Sequence, residues 1–539
     1  MEEWCMNAGV HRVLGTASLF AVALALTACA DRSEGLSNGL KSNSAGQVSA
    51  PAAAPKVSAY AASRFLEQAS FGPTPESVAQ VQALGFEAWL DQQFALPVSL
   101  ITDVPYIVGN YDRASQEENR VAHEWPKTAT EQLILTAPDQ LRLRTSWALF
   151  NFIPVSSQPL GMLEYFNMLQ RNAFGPHRNL LLDVTKDPAM GHFLSNPQNN
   201  RFKLNENFAR ELMQLFSVGL VQLNLDGTVK RDAAGKPLET YTQEDVRAAT
   251  RALTGWRFDN SVPNLTFPGN FANFGHPMVP NADSHDKDAK QLLGKAIPAG
   301  QTVEQDLGSV VDVLLGHPNA APFLARRLIQ ALVSSEPSPA YIQRVSQAYL
   351  AGGKTIKAAV KAVLLDSEAR AADQLGVAES TGGRIKEPML FAAMYLRGLT
   401  CEKKPERYWF GNQSFYDVPN VFGYISPDYR TPGTQVNAPE HALLDTAALT
   451  QRSTMGYYPP IKEYVEVGCD FDQLEKAVQE SPQAAVHFLS TRYFRGAMPV
   501  ALRSELLGLL ERSPNNTADV KAQRLISYMG TSAEFGVVR

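Results

Sequence analysis

One stretch of the sequence, residues 205–219, combines a carboxylate, a guanidinium and two amides at helical spacing. These polar side chains recur at i, i+3, i+4 and i+7, which places them in one row on a helix. Such a row offers more hydrogen-bonding capacity than an ordinary solvated face requires. The polar row consists of Asn207, Arg210, Glu211 and Gln214, and an apolar stripe on another face consists of Phe208, Leu212, Leu215 and Phe216.

Two later segments carry residues that could complete an acid–base site. A second predicted helix, which begins after Thr242, carries charged residues on one face and ends at Gly255. A glutamate and a histidine can form an acid–base couple, while arginine or asparagine orients a substrate oxyanion. The catalytic candidates are therefore Glu211, His285 and Arg251. The substrate-binding candidates are Asn207, Arg210, Glu244, Trp256 and Asp286.

The same charges also have a purely structural interpretation. Buried charges need partners, and helical proteins often join two helices through ion pairs. Under this interpretation Arg210 and Glu211 on the first helix and Glu244 and Arg251 on the second form one buried lattice. Both interpretations remain open at this point.

The loop around the second histidine could be taken for a metal site. It offers two imidazoles and three carboxylates, which are ligands that zinc or magnesium accept. However, its spacing matches no known ligand pattern, so we predict a solvated acidic loop and no metal, and the sequence identifies no cofactor. The residues concerned are His276, Asp283, His285, Asp286 and Asp288.

The elements that must position these residues are predicted to be mainly α. We expect a multi-helix globular body with one small β-hairpin at Leu220–Thr240 and two long irregular loops, Asp259–Gly300 and Pro405–Pro439. The second loop is rich in aromatic residues, which could stack on sugar rings or pack over the helical core. Helices are expected near 62–69, 75–94, 141–154, 161–172, 179–186, 205–219, 242–255, 303–315, 320–333, 339–351, 356–367 and 385–399.

Length and composition describe a soluble globular protein of ordinary charge. The chain has 539 residues, which suggests two or three subdomains, and a net charge of -5. That balance excludes the basic surface that nucleic-acid binding requires. The body holds two cysteines, Cys401 and Cys469, and their spacing alone leaves open whether they pair.

The N-terminus predicts export. An apolar run at Val13–Ala28 is long enough for a signal peptide and short for a membrane span. It ends in Leu-Thr-Ala-Cys, similar to the lipobox of bacterial lipoproteins, which implies lipidation at Cys29 and, with Ala30 following, an outer-membrane address. Either Met1 or Met6 could be the start. We expect a signal peptide at 1–28, a flexible tether at 29–58, an N-terminal helical part at 59–300 and a C-terminal helical part at 301–539.

Several motifs in order resemble one bacterial family. They are Arg64-Phe-Leu-Glu-Gln-Ala-Ser-Phe-Gly-Pro-Thr, Asn205-Glu-Asn-Phe-Ala-Arg-Glu-Leu-Met, Tyr241-Thr-Gln-Glu-Asp-Val-Arg, Arg251-Ala-Leu-Thr-Gly-Trp, His285-Asp with Leu293-Gly, and Val421-Phe-Gly-Tyr-Ile-Ser-Pro-Asp-Tyr with Ala438-Pro-Glu. Together they are similar to the family called domain of unknown function 1800, from Arg64 to about Ser453. The resemblance implies an exported protein whose partner is an exported phosphatase- or sulfatase-like protein. Some members carry a histidine-rich Trp-His-Asn-His element where this chain has Trp147-Ala-Leu-Phe-Asn-Phe.

Two classes of function follow from these features. The first is an envelope accessory or binding protein, anchored to the membrane through a lipid at Cys29 and working with such a partner. The second is a hydrolase that acts on an envelope or extracellular polymer, with Glu211 and His285 as its acid–base pair. A binding protein predicts a sealed polar lattice beside a broad apolar or aromatic contact patch, whereas an enzyme predicts a cleft with convergent polar groups.

Overall fold

Helices account for most of the protein. The computed structural model describes residues 56–102, 116–157, 159–261, 273–374, 383–404, 413, 418–455 and 461–538. Over these ranges there are 22 α-helices and only small two-stranded sheets, which confirms the mainly α class. No helix in the same ranges is both long and apolar enough to span a bilayer. The predictions for the signal peptide, Cys29, most of the tether and the aromatic residues 408–410, 415 and 416 lie outside the described residues.

Over the described residues the fold begins with ten α-helices, of which the sequence predicts all but the fourth and the eighth, with most ends within about two residues. They are α1 (Ala59–Ala69), α2 (Pro75–Leu84), α3 (Phe86–Ala95), α4 (Gln116–Thr136), α5 (Gln140–Phe152), α6 (Pro159–Asn172), α7 (His177–Lys186), α8 (Pro188–Phe193), α9 (Asn207–Gln214) and α10 (Gln243–Ala252). Sequence capping signals explain the agreement. Thr74 and Ser77 form a capping box at the start of α2, and the box predicted from Thr242 and Asp245 is confirmed at α10.

Short strands and the remaining helices complete the fold. The strands are β1 (Trp256–Arg257), β2 (Val279–Pro280), β3 (Lys290–Leu292), β4 (Lys295–Ile297), β5 (Arg384–Ile385) and β6 (Val537–Val538), paired antiparallel as β1–β2, β3–β4 and β5–β6. The helices are α11 (Val303–Gly316), α12 (Ala320–Leu332), α13 (Pro339–Ala351), α14 (Ile356–Leu365), α15 (Ser367–Arg370), α16 (Pro388–Gly398), α17 (Thr446–Met455), α18 (Ile461–Glu466), α19 (Phe471–Glu480), α20 (Pro482–Tyr493), α21 (Val500–Glu511) and α22 (Ala518–Thr531).

The central helix is α5, which is buried from Gln140 to Phe150 and contacts α1, α3, α6 and α12. One hydrophobic core runs from Ala62 to Val538 and includes residues on both sides of position 300. The predicted division at residue 300 stays a prediction, and helices from both predicted parts pack together, as α7 does against α11.

The polar-row helix is shorter than the sequence predicts. The prediction extends from Asn205 to Gly219, whereas α9 covers only Asn207–Gln214. The chain then tightens into a turn, because the backbone N–H groups of Val218 and Gly219 both donate to the Met213 carbonyl, at 3.1 and 3.0 Å. Gly219 has φ of 74°, a conformation that favours glycine.

The segment predicted as one hairpin, residues 220–240, is paired antiparallel at its ends, where Val221 bridges to Glu239, and contains two consecutive tight turns between them. Isolated antiparallel bridges join Leu223 to Val229, and Arg231 to Pro237. Asp226 and Asp232 each accept backbone N–H groups within their own turn, at 2.8 to 2.9 Å. The regular hairpin is β3–β4, inside the loop that was predicted to be irregular. We call residues 220–240 the tandem turns.

The two body cysteines pair. Cys401 follows α16 and Cys469 precedes α19, and a disulfide joins them across 68 residues of sequence. This settles the question that their spacing leaves open, and it ties the end of one buried helix to the C-terminal helices.

Candidate functional site

The polar row on α9 lies near the surface and joins α9 to α10. Arg210 Nη2 lies 2.8 Å from Glu206 Oε2 and 3.1 Å from Gln243 Oε1. Gln243 in turn donates to the Glu206 carboxylate at 3.0 Å. Asn207 and Glu244 are exposed. The link between the two helices thus uses Glu206 and Gln243, rather than the predicted set of charges.

Glu211 is half-buried and has a weakly satisfied carboxylate. Its Oε2 atom is shielded from solvent and has no hydrogen-bond partner, and the hydroxyl of Tyr241 is in the same situation. Burial raises the pKa of Glu211, and the nearby Arg210 acts in the opposite direction. Burial also raises the pKa of Tyr241, to about 12.

The other catalytic candidates meet in a second cluster. Arg251 forms a bidentate pair with Asp286, at 2.7 and 3.1 Å. Thr254 links this pair to His285, because its hydroxyl accepts the Asp286 N–H at 2.8 Å and its carbonyl accepts from His285 Nδ1 at 2.9 Å. The structure thus brings Arg251, Asp286 and His285 together. Glu211 has none of these groups as a partner.

His285 is fully buried and its neighbours are charged. His285 Nε2 lies 3.2 Å from Asp306 Oδ2, and Lys290 Nζ lies 2.7 Å from the same oxygen. All three side chains are at most 5% exposed as residues. Trp256 is also buried, and its indole N–H has no hydrogen-bond partner. These contacts hold the loop after β2 against α11, which carries Asp306.

The first histidine of the loop lies in different surroundings. His276 is exposed and borders a cavity of about 200 Å³ with Glu164 and Asp187. Burial raises the pKa of Asp187 to about 7, and the charge of Glu164 adds to that rise. Burial raises the pKa of Glu164 as well, while the charge of Arg171 and a hydrogen bond from Asn167 act in the opposite direction. Asp283 is exposed. In the part of the chain that the structure describes, no three His, Cys, Asp or Glu side chains form a metal-binding group.

The most distinctive cavity lies elsewhere, where the end of α9, the tandem turns, α12 and residues 422–428 meet. This outer chamber has a volume of about 400 Å³ and mostly apolar walls. Its lining consists of Gln214, Leu215, Val218, Gly219, Leu220, Val221, Leu223, Val229, Phe323, Arg326, Arg327, Phe422, Ser426, Pro427 and Asp428. The end of the α9 motif therefore contributes to a cavity wall, and Gln214 is the member of the polar row that lines it.

A buried asparagine holds the tandem turns against α12. The Asn319 side chain, 1% exposed, accepts from Leu223 N at 2.8 Å and donates to the carbonyls of Val218 and Val221 at 2.9 and 2.8 Å. It also donates to the Thr240 hydroxyl at 3.2 Å. One side chain thus fixes both ends of the segment that forms this wall.

A second, smaller cavity adjoins the first. This inner chamber has a volume of about 50 Å³ and shares Arg327 and Pro427 with the outer chamber. It contains room for a few waters or for one small polar group. Its lining consists of Ala148, Asn151, Phe152, Arg327, Gln330, Ala331, Arg384, Glu387, Ile425, Pro427, Pro439 and Glu440.

A buried network of charges forms the base of the inner chamber. Glu387 accepts hydrogen bonds from Trp147 Nε1 and Gln413 Nε2, both at 2.9 Å. It also lies 3.6 Å from Arg144 and 3.7 Å from Arg384. Burial would raise the pKa of Glu387, but the two arginines and the two hydrogen bonds lower it overall. Glu387 is therefore ionised at neutral pH.

The second carboxylate of this network is Glu440. It accepts from Arg384 Nε at 3.0 Å and from the Ser335 hydroxyl at 2.8 Å. Burial would lower the pKa of Arg384, but Glu387 and Glu440 raise it overall. Burial, together with the charge of Arg384, lowers the pKa of Arg144 to about 9, so Arg144 also stays charged at neutral pH.

Arg327 is the exception, because its guanidinium has no partner. Among the described residues it makes no hydrogen bond or ion pair, and its Nη1 atom is shielded from solvent. It lies over the Phe323 ring, 5.0 Å from the ring centre. Burial lowers its pKa to about 10, while the charge of Asp428 acts in the opposite direction. Arg327 is only partly exposed, so its unpaired N–H group is unfavourable, and an anion in the cavity would supply the missing partner.

The inner chamber and the charges directly behind it together hold an excess of positive charge. Arg327 and Arg384 line the chamber, and Arg144 lies behind the lining, 3.6 Å from Glu387. These three guanidinium groups face the two carboxylates of Glu387 and Glu440. Two acceptors in the lining, Gln330 Oε1 and Asn151 Oδ1, also lack partners. The arrangement can bind a small anionic group that also offers a donor or carries water.

Sequence reasoning did not select these residues. Arg384, Glu387 and Arg327 fall within stretches that read as ordinary amphipathic helices, and the residues that surround them in space are far apart in sequence. One usable signal was present, since Glu440 belongs to the Ala438-Pro-Glu motif. Ala148, Asn151 and Phe152 of the lining belong to the segment that stands where some similar proteins carry histidines.

Comparison with known proteins gives one match. A family model described as Protein of unknown function (DUF1800) matches residues 64–537. No curated protein matches the chain, and no solved structure does. The matched range includes both chambers and the cluster around His285.

Proposed function

The chain belongs to the DUF1800 family of proteins of unknown function, and we propose that it is an exported bacterial binding protein whose two chambers receive a ligand through an anionic group. We propose further that a lipid on Cys29 anchors it to the outer membrane. The primary role of the two chambers is then to bind a ligand rather than to catalyse a reaction.

One observation carries the binding proposal, which is the unpaired guanidinium of Arg327. A protein gains no stability from a partly buried cation without a partner, since its partial desolvation is not offset. Arg327 borders both chambers, so an anionic group entering from the outer chamber would meet it. Hydrogen bonds between a guanidinium and an anion are among the strongest in proteins.

Two features support the proposed export. The leader ends in a lipobox-like sequence at Cys29. The disulfide between Cys401 and Cys469 suits an oxidising compartment such as the periplasm. We propose that the protein works there with the exported phosphatase- or sulfatase-like partner that the family resemblance implies.

Equilibrium dialysis with radiolabelled acetate at neutral pH tests the anion site. We use the exported protein with Cys29→Ser, which needs no detergent. Losing one charge-assisted hydrogen bond costs about 1.5–3 kcal/mol, so Arg327→Gln should weaken acetate binding at least about tenfold. Arg178→Gln, at an exposed ion pair with Asp312, serves as the matched control and should bind as the wild type does. Equal binding by the wild type and Arg327→Gln, or no binding by either, would contradict the proposal.

Hydrolysis of an envelope polymer is the second candidate, and the cavity around His276 favours it. Two carboxylates with raised pKa, Glu164 and Asp187, share this cavity with a histidine, and such a set suits general acid–base catalysis. Neither Glu211 nor His285 is among the residues that line the cavities described above. Incubation with peptidoglycan sacculi should release soluble sugar if the cavity is catalytic, and Glu164→Gln should abolish that release. If no sugar is released, the cavity is not catalytic toward that polymer.

A further inference from the structure

The outer chamber has a chemistry that narrows the class of ligand, and this inference rests on the proposed anion binding. Most of its walls are apolar, contributed by Leu215, Val218, Val221 and Leu223 among others, and its lining also includes Arg327, which it shares with the inner chamber. A ligand that fits both ends has an apolar body and one charged head. A volume of about 400 Å³ lies within the range of small-molecule sites.

Two apolar side chains at this chamber have little protein around them. Leu220 is 54% exposed and Phe422 is 45% exposed. Both line the chamber, so covering them would remove apolar surface from water, which is favourable. An apolar ligand body between the tandem turns and residues 422–428 would cover both.

The charges around the head group favour a single negative charge. At the outer chamber Arg326 lies 3.5 Å from Asp428, so these two charges offset each other. At the inner chamber the carboxylates of Glu387 and Glu440 offset Arg384 in the lining and Arg144 behind it. One positive charge, that of Arg327, is left over. A monoanion balances it, whereas a dianionic phosphate would leave an unpaired negative charge.

From these observations we propose that the cleft binds a fatty carboxylate, with its carboxylate at Arg327 and its alkyl chain in the outer chamber. A planar carboxylate matches the geometry of a guanidinium group, which can donate two parallel hydrogen bonds. The polar end lies toward the inner chamber, where the partnerless atoms of Gln330 and Asn151 can bind accompanying water.

Isothermal titration calorimetry with acetate, butyrate, hexanoate and octanoate tests whether the alkyl chain of the ligand contributes to binding. Burial of each methylene group should strengthen binding by about fourfold until the chamber is full. Octanoate should therefore bind far more tightly than acetate. If all four bind equally, the apolar chamber takes no part and this inference fails, while the proposed anion site stands. If none binds, the anion site fails as well.

Head-group probes with one chain length test the charge. Octanoate should bind at least about tenfold more tightly than 1-octanol or octylamine, because only the carboxylate pairs with Arg327. Arg327→Gln should remove this advantage and leave 1-octanol binding unchanged. Octyl sulfate is another monoanion, so comparing it with octanoate tells whether the site prefers a sulfate or a carboxylate. If octyl sulfate or octyl phosphate binds more tightly than octanoate, the carboxylate assignment is wrong.

A variant of the chamber wall tests whether the alkyl chain of the ligand binds in the outer chamber or on any exposed apolar surface. Leu220→Ser removes one apolar wall and should weaken octanoate binding several-fold without changing acetate binding. Leu350→Ser is the matched control, because Leu350 is 45% exposed and does not line the chamber. Equal loss of octanoate binding in the two variants would show that the alkyl chain does not bind in the outer chamber.

Discussion

Three arginines around the inner chamber have the same side chain and different surroundings. Arg384 is held by two carboxylates, and Arg144 lies beside one. Arg327 has none. The pKa of Arg384 is raised, whereas the pKa values of Arg144 and Arg327 are lowered to about 9 and about 10. The contacts of each arginine indicate its role. Arg384 and Arg144 stabilise the fold through their carboxylate partners, whereas Arg327 is the residue that we propose pairs with a ligand.

Glu387 belongs to the first group, and removing its charge should destabilise the protein. In Glu387→Gln the amide keeps the size of the side chain but leaves Arg144 without a carboxylate. Breaking a buried pair in this way costs about 3–5 kcal/mol. Equilibrium unfolding in urea, followed by far-ultraviolet circular dichroism, measures the change.

The control for this experiment is Glu87→Gln. Glu87 forms a surface ion pair with Lys361 at 2.9 Å and is 70% exposed, so its loss should cost less than about 1 kcal/mol. A cost for Glu387→Gln as small as that of the control would show that the network does not stabilise the fold.

Asp187 predicts a dependence of stability on pH. Burial raises its pKa to about 7 in the folded protein, from an ordinary value of 3.8, so the folded state keeps a proton that the unfolded state has lost. Stability therefore falls as pH rises from about 4 to about 7. Asp187→Asn cannot ionise and keeps the oxygen that caps α8, so at pH 8 it should be more stable than the wild type by at most about 4 kcal/mol.

The advantage of Asp187→Asn should disappear at pH 4, where both forms are neutral. Unfolding curves at pH 4, 6 and 8 measure it. Asp232→Asn is the control, since Asp232 also accepts two N–H groups but lies exposed in a turn. Its effect should stay within about 0.5 kcal/mol at every pH. A stability difference for Asp187→Asn that does not change with pH would argue against the raised pKa.

At the level of single residues, the sequence could predict which groups are polar and on which face they lie, but not their partners. Arg251 and Glu211 are placed on helices as predicted. The partner of Arg251 is Asp286, 35 positions away, and Glu211 has an oxygen without any partner. Partners of this kind depend on how loops return to the helices, which local periodicity does not encode.

At the level of elements, Asn319 should control the tandem turns. Asn319→Ala removes the groups that bond to Leu223, Val218, Val221 and Thr240, and unsatisfied buried groups cost about 1–3 kcal/mol each. We expect faster amide exchange across residues 220–240 and a loss of stability of about 2–3 kcal/mol. Hydrogen exchange with mass spectrometry reports both.

A variant in the same segment provides the comparison. Asn224 bonds only within its own turn, to the Thr228 hydroxyl at 2.9 Å, and is exposed. Asn224→Ala should change exchange in that turn alone. Unchanged exchange across the whole segment in Asn319→Ala would show that the turns hold themselves in place.

The helices were predictable because their signals are local. The box of Thr242 and Asp245 and the proline at the start of α2 fix helix ends from within a few residues. The end of α9 was not predictable in this way. Its stripe continues to Phe216, but the turn at Gly219 and the packing of the tandem turns on Asn319 end the helix at Gln214. Tertiary contacts override the periodic pattern there.

At the scale of the whole molecule, the disulfide should be a main contributor to stability. It closes a loop across 68 positions, and the chain-entropy estimate for such a loop is about 4 kcal/mol. Reduction with dithiothreitol should lower the free energy of unfolding of the wild type by about that amount. A Cys401→Ser, Cys469→Ser variant should be insensitive to the reagent, and an equal response in the two proteins would show that the bond is not the cause.

The short β5–β6 sheet has a consequence for how the protein is made. β5, next to Glu387 at the base of the inner chamber, pairs with β6 at Val537–Val538. At ordinary rates of synthesis, β6 is made roughly 8–30 s after β5. Until then β5 has no partner strand, so the base of the inner chamber cannot be completed before residues 537–538 have been made.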